Sequence, residues 1–234
     1  MPNSYFRFKQ FTIQQDRCTM KVCTDSCILG AWTALRLSGA KRILDIGTGT
    51  GLLPLMLAQK SESLIDTIES DPGSFAQAKE NIQQSPWSDR IRLIAGDVRA
   101  HSFSSAYDFI ISNPPFYESD LRSPEIKKNN AKHGESLTLD ELITVLRSCL
   151  HENGAFSILL PFLRTNYFEK LSAVNGFFLH EKLIIRQTPQ HVPFRTVCLY
   201  SRHIPENVLS GELTIKDENG EKSFAFSKLM KEYY

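Results

Sequence analysis

Two short stretches hold most of the residues that could do chemistry. The first is Asn113-Pro114-Pro115-Phe116, directly after the apolar run Asp108-Phe109-Ile110-Ile111-Ser112. Two prolines stiffen the backbone and remove two N–H donors. What remains is a rigid set of acceptors, the Asn113 side-chain oxygen and the Pro114 carbonyl, beside the flat face of Phe116. That set suits an exocyclic amine conjugated to a ring or a carbonyl. Such a nitrogen is a poor nucleophile because its lone pair is delocalised. Two acceptors holding its two N–H bonds favour pyramidalisation and aim the lone pair at an electrophile. Stacking on an aromatic face holds a base in place by about 1–3 kcal/mol. Catalysis then rests on positioning and electrostatics, with no covalent intermediate. The same four residues also satisfy a plain Pro-Pro turn ending a strand.

The second stretch is Asp45-Ile46-Gly47-Thr48-Gly49-Thr50-Gly51. Glycines between a strand and a helix let the backbone turn tightly and approach a ligand. A dinucleotide fingerprint needs a third glycine at position 52, where Leu52 stands. Asp45 would repel a pyrophosphate, but it suits a ligand carrying cations, such as the sulfonium and ammonium of S-adenosylmethionine. Glu69 ends the next strand, where an acid accepts hydrogen bonds from ribose hydroxyls. Asp97, after the third strand, is expected at the adenine edge. Asp45, Gly47, Gly49, Glu69 and Asp97 are therefore the expected cofactor residues. Helix caps and loop acids are the alternative reading of the acids.

The elements that must position these residues alternate strand and helix. Strands are expected over Arg42–Ile46, Leu64–Ile68, Ile91–Ala95, Tyr107–Ser112 and Ala155–Leu160, and over Phe177–Ile185 and Val197–Tyr200. Helices are expected over Leu52–Gln59, Gly73–Gln84, Leu139–Leu150 and Thr165–Val174. Short apolar strands alternating with helices imply an α/β, doubly wound, mostly parallel sheet covered on both faces. Ahead of it, Tyr5–Ile13 and Arg17–Val22 read as a pair of short strands, and a helix capped by Thr24 or Asp25 runs to Leu35. The tail looks turn-rich from Pro205 to Gly220, then helical, with Phe224, Leu229, Met230 and Tyr233 as one apolar stripe. The expected divisions are an N-terminal extension (1–35), a core (36–204) and a docking tail (205–234).

Composition narrows the class. Of 234 residues, 41% are hydrophobic and 23% charged, as in a globular chain. A net charge of +1 does not announce a nucleic-acid binder, though a local basic face suffices. Five cysteines without C-x-x-C spacing or a following histidine argue against a disulfide framework and a metal site. Cys18, Cys23 and Cys27 are expected to be buried, inert thiols. No signal-peptide core and no membrane-length apolar run are present, so a cytoplasmic protein without metal, membrane or obligate protein partner is expected.

These motifs resemble the class I methyltransferases with an Asn-Pro-Pro-aromatic loop. More closely, the chain resembles the bacterial tRNA1(Val) adenine-N6 methyltransferase family, over nearly its whole length. The resemblance includes Phe6-Arg7-Phe8-Lys9-Gln10-Phe11, Asp16-Arg17-Cys18, Met20-Lys21-Val22, Thr24-Asp25, Leu29-Gly30-Ala31-Trp32, Leu44-Asp45-Ile46-Gly47, Gln83-Gln84-Ser85-Pro86-Trp87 and Ile110 to Phe116. It implies a Rossmann-like sheet of seven strands ending in an antiparallel hairpin. It also implies S-adenosylmethionine as cofactor and methylation of N6 of adenine 37 in a valine tRNA. By this analogy Asp45, Gly47, Glu69 and Asp97 bind cofactor, Thr24 and Asp25 lie over it, and Asn113 to Phe116 hold the adenine. Cys23 departs from the family's usual glycine, and Phe116 from its common tyrosine.

Two basic clusters are candidates for RNA phosphates around a splayed-out base. One is Arg7 and Lys9 with Arg17 and Lys21, each pair sharing a strand face. The other is Lys127, Lys128 and Lys132, with Arg122 and His133. A solvated loop and a charge-guarded edge strand explain them equally. The Asn-Pro-Pro-Phe loop also fits a protein glutamine amide or a ribosomal RNA base, and a non-catalytic RNA- or cofactor-binding module is the rival of another class. Glutamine methyltransferases, however, usually carry a helical N-terminal domain, whereas the segment here reads as strands.

Overall fold

Alternation along β3 (Arg42–Ile46) sets the layering. Ile43 packs into one hydrophobic cluster and Leu44 and Ile46 into another, one on each face of the sheet. The computed structural model describes residues 3–18, 20–37, 39–115 and 137–234. Its elements run β1 (Tyr5–Arg7), β2 (Thr12–Gln14), α1 (Thr24–Ala34), β3, α2 (Leu52–Ala58), β4 (Leu64–Glu69), α3 (Pro72–Gln83), β5 (Ile91–Ala95) and β6 (Tyr107–Ser112). There follow α4 (Leu139–Cys149), β7 (Leu150–Pro161), α5 (Thr165–Val174), β8 (Phe178–Arg186), β9 (Arg195–Ser201), β10 (Leu209–Thr214) and α6 (Phe224–Met230).

The main sheet has the order β10-β8-β9-β7-β6-β3-β4-β5. β9 runs antiparallel to both neighbours, and the other pairings are parallel. The doubly wound sheet and the β8–β9 hairpin are as expected, but there are eight strands rather than seven. The extra strand, β10, lies in the stretch read as turns. Leu213 is its one buried residue, so an edge strand with little apolar alternation carries almost no sequence signal.

Helices α1 and α2, with the β1–β2 hairpin and α6, cover one face, and α4 and α5 cover the other. The strand order reverses between β3 and β6, so the loops after these two strands diverge and leave a crevice at the carboxyl ends. The glycine loop follows β3 and the Asn-Pro-Pro turn follows β6.

The N-terminal segment is fastened by aromatic packing. Phe8 stacks on Phe11 with centroids 4.4 Å apart, Phe11 meets the edge of Trp87, and Phe6 meets Tyr234. Lys9 N donates to Tyr233 O at 2.8 Å, and the buried Tyr233 hydroxyl donates to Met56 O at 3.1 Å. Phe226, Met230 and Tyr233 form the docking stripe of the tail, whereas Phe224 is 83% exposed and does not belong to it. The described residues of the segment 17–22 form no strand. Gln77 Oε1 accepts the amides of Asp16 and Arg17, and Gln15 Oε1 accepts that of Val22, so side chains replace a ladder. Among the described residues, no helix is long and apolar enough to cross a membrane.

Candidate active site

A cavity of about 350 Å³ opens at the carboxyl ends of β3, β4, β5 and β6. Gly47, Gly49, Glu69, Asp97, Asn113, Pro114 and Pro115 all contribute to its wall, so the structure brings the two chemical stretches together. The glycine loop bends because Gly47, Gly49 and Gly51 take φ values of 76°, 57° and 82°, which side chains rarely tolerate. Gly47 N donates to Ile68 O at 3.0 Å. Glu69 Oε2 accepts Gly49 N at 2.8 Å and Oε1 accepts Asp71 N at 2.8 Å, so one carboxylate spans two loops. α3 starts with its own cap, Asp71 accepting Ser74 N at 2.7 Å, with Pro72 opening the helix.

Asp45 lies fully buried behind the cavity wall. Its Oδ2 accepts the Thr67 hydroxyl at 3.1 Å, while Oδ1 has no hydrogen-bond partner among the described residues. Burial pushes its carboxyl up to about 7, and the neighbouring charge of Glu69 adds to the rise. A buried acid held near neutrality is suited to a nearby cation, which restores its charge. Asp97 faces Arg99, whose guanidinium grips both carboxylate oxygens and also reaches Glu141 at 3.0 Å. Arg99 holds Asp97 below the usual carboxylate range. Glu141 in turn closes a capping box with Thr138 at the start of α4.

Asn113 joins the wall by a different route. Its Nδ2 donates to Ser26 Oγ at 2.9 Å, and its Oδ1 is buried without a partner among the described residues. Pro114 is buried and Pro115 exposed beside it. Phe116 lies outside the described residues, as do Arg122, Lys127, Lys128, Lys132 and His133.

Other expected residues sit elsewhere. Thr24 and Asp25 begin α1 but do not line the cavity. Asp25 instead accepts Ser26 N at 3.0 Å and the Arg195 Nε at 2.9 Å. Ser26 lines the wall in their place, with Met20, Lys21 and Val22. Lys21 thus borders the cavity as well as donating to Asn3 O. Arg7 is exposed at the end of β1. Lys9 lies beyond that strand, its ammonium on Lys231 O. Arg17 pairs with Glu80. The two strand faces expected for these cations do not exist, because β1 ends before Lys9 and no strand covers Arg17 or Lys21.

The sequence reading missed Ser26, Asn81 and Gln77. Buried Asn81 donates to Gln14 O at 2.9 Å and Thr50 O at 2.8 Å and accepts Gln14 N at 2.8 Å, tying β2 to the glycine loop. Gln77 and Asn81 stand four apart on α3, a spacing that puts both amides on one face. That buried amide pair on a helix was the one available signal. Among the described residues, no cluster of His, Cys, Asp and Glu could hold a metal.

The methyltransferase small domain family model matches residues 31–161. A Dyadobacter fermentans protein named tRNA1(Val) (adenine(37)-N6)-methyltransferase is 43% identical, covering 99% of this chain and 98% of its own length. A protein of the same name from Pectobacterium carotovorum is 39% identical, covering 98% and 93%. Among solved structures, a predicted O-methyltransferase from Agrobacterium tumefaciens superposes with a TM-score of 0.65 at 14% identity, over 89% of this chain and 96% of that one. P. horikoshii TYW2, solved in complex with MeSAdo, gives 0.59 at 16% identity, over 85% and 71%. These two likenesses concern the fold alone. The long, nearly end-to-end sequence matches go further, and with the glycine loop and Asn113-Pro114-Pro115 on one cavity wall they show that the chain belongs to the tRNA1(Val) (adenine(37)-N6)-methyltransferase family.

Proposed function

We propose that this protein uses S-adenosylmethionine to methylate N6 of adenine 37 in a valine tRNA, in the cytoplasm. The observation that carries this reading is the buried Oδ1 of Asn113, without a partner among the described residues, on the wall that also holds the glycine loop. A buried acceptor without a donor costs about 1–3 kcal/mol, a cost that an incoming N–H removes. Adenine N6 offers two N–H bonds, one for Asn113 Oδ1 and one for the Pro114 carbonyl.

When bound, S-adenosylmethionine supplies an electrophilic methyl group on a sulfonium. The residues present fit it. Glu69 retains lone pairs that would take ribose hydroxyls, Asp97 on the same wall would meet the adenine edge, Gly47 and Gly49 leave the loop free of side chains, and Asp45 would provide negative potential behind the wall. Asn113 and Pro114 hold the substrate amine and draw its lone pair out of conjugation. Its proton becomes strongly acidic as the new bond forms and leaves to solvent, so no dedicated base is required. Phe116 supplies a stacking face and Lys127, Lys128 and Lys132 phosphate contacts in this proposal; all four lie outside the described residues.

Asn113→Ala tests the assignment. It should lower kcat by at least about 100-fold, the scale seen when a single transition-state contact is removed. Cofactor affinity should stay within about threefold. A folded variant with full activity would refute the role of Asn113.

A further inference from the structure

The Asn113 amide could present either end to the cavity. With Oδ1 inward it accepts the substrate N–H; reversed, its NH2 would oppose another donor. The side chain that meets the other end of the amide is Ser26, whose Oγ lies 2.9 Å from Nδ2. Ser26 Oγ also lies 2.8 Å from Cys23 Sγ. Burial and the nearby Asp25 carboxylate push the Cys23 thiol up to about 11, so at neutral pH the sulfur carries its proton and remains a weak acceptor. When the Ser26 hydroxyl hydrogen points to that sulfur, its lone pairs face Asn113 and select Nδ2.

Ser26 is itself anchored. Asp25 Oδ1 accepts the Ser26 amide, and Asp25 Oδ2 accepts Arg195 Nε from the start of β9. Farther along α1, the Thr33 hydroxyl meets that of Ser157 on β7 at 2.7 Å, buried. The first turn of α1 is therefore fixed to β9 and its last turn to β7, both beyond β6, the strand that leads into Asn113.

We infer that Ser26, backed by Cys23, is a positioning residue that keeps the Asn113 carbonyl turned toward the substrate amine. This rests on the reading of Asn113 as the amine acceptor, and it assigns to Asp25 the support of Ser26 rather than contact with cofactor. A misoriented contact of this kind lowers turnover by up to about 100-fold without changing the parts present.

The test measures kcat with tRNA, cofactor affinity by calorimetry and melting temperature for Ser26→Ala, Ser26→Thr, Cys23→Ala and Cys23→Ser. Ser26→Ala should lower kcat by about 10- to 100-fold with cofactor affinity within about threefold, and Ser26→Thr should recover most of the loss. Cys23→Ala frees the Ser26 hydroxyl to turn toward Asn113 and should lower kcat by about fivefold or more, whereas Cys23→Ser should keep it. Wild-type kcat in Ser26→Ala, or equal losses of kcat and cofactor affinity, would overturn the inference. If Ser26→Ala fails to fold, wild-type kcat in Cys23→Ala overturns it. An inactive Asn113→Ala beside a fully active Ser26→Ala refutes the positioning role alone; a fully active Asn113→Ala refutes the reading beneath it.

Discussion

Glu69 accepts the amide of Gly49 at 2.8 Å across the gap between the β3 and β4 loops. Its second oxygen holds Asp71 N at the start of α3, so this carboxylate shapes the cavity even before a ligand uses its remaining lone pairs. Hydrogen bonds to a charged partner are worth about 1.5–3 kcal/mol each. Glu69→Ala should therefore weaken S-adenosylmethionine binding by about 10- to 100-fold in calorimetry, with a smaller effect on tRNA affinity. Unchanged cofactor affinity would remove Glu69 from the site.

Asp45 makes cofactor binding depend on pH. Its folded pKa, about 7, lies above the unfolded value of 3.8. Its contribution to stability is therefore full below pH 3.8 and declines as the pH rises toward 7, above which it stays lost. A bound cation favours the charged form, so affinity should rise between about pH 6 and 8 as the free protein gives up that proton. Asp45→Asn should flatten this rise, weaken binding at pH 8, and raise the melting temperature of the free protein there by at least about 4 °C. Proton release measured in buffers of different ionisation enthalpy checks the sign.

Asn81 satisfies two carbonyls and an amide that would otherwise be left in the interior. Asn81→Ala should cost about 2–4 kcal/mol of stability in denaturant titration. It should also weaken cofactor binding, because Thr50 O belongs to the glycine loop. A loss of stability below about 1 kcal/mol would show that water replaces the amide at little cost.

Among the candidate RNA cations, Arg17 is engaged with Glu80 and Lys9 with Lys231 O. Arg17→Ala should hardly change the salt dependence of tRNA binding. Replacing Lys127, Lys128 and Lys132 together by alanine should flatten the slope of log affinity against log salt by about 2, near 0.7 per phosphate contact. An unchanged slope in the triple variant would exclude that cluster from the RNA.

The candidate crevice was readable in the chain because its parts follow strong local signals. β3 and β6 are buried apolar runs, and each ends in residues with restricted or unusual backbone preferences, glycines after one and prolines after the other. Distant partnerships left no such trace. Asp25 reads as a cap or a ligand, yet it is committed to Arg195, 170 positions away. Ser26 is one more polar residue in the first turn of a helix until Asn113 is folded against it. The segment after Asp16 alternates like a strand but is held by the side chains of Gln15 and Gln77. The family-like aromatic stretches around Phe6 to Phe11 and Trp87 pack against one another in a seam.

The most direct test of the central claim is incubation of the protein with methyl-labelled S-adenosylmethionine and total tRNA from a strain lacking this activity, followed by mapping of the labelled nucleotide. The expected product is N6-methyladenosine at position 37 of a valine tRNA, with no label from an Asn113→Ala variant that still binds cofactor. Label on a protein glutamine or a ribosomal RNA base instead, or cofactor binding with no transfer to any of these, would contradict it.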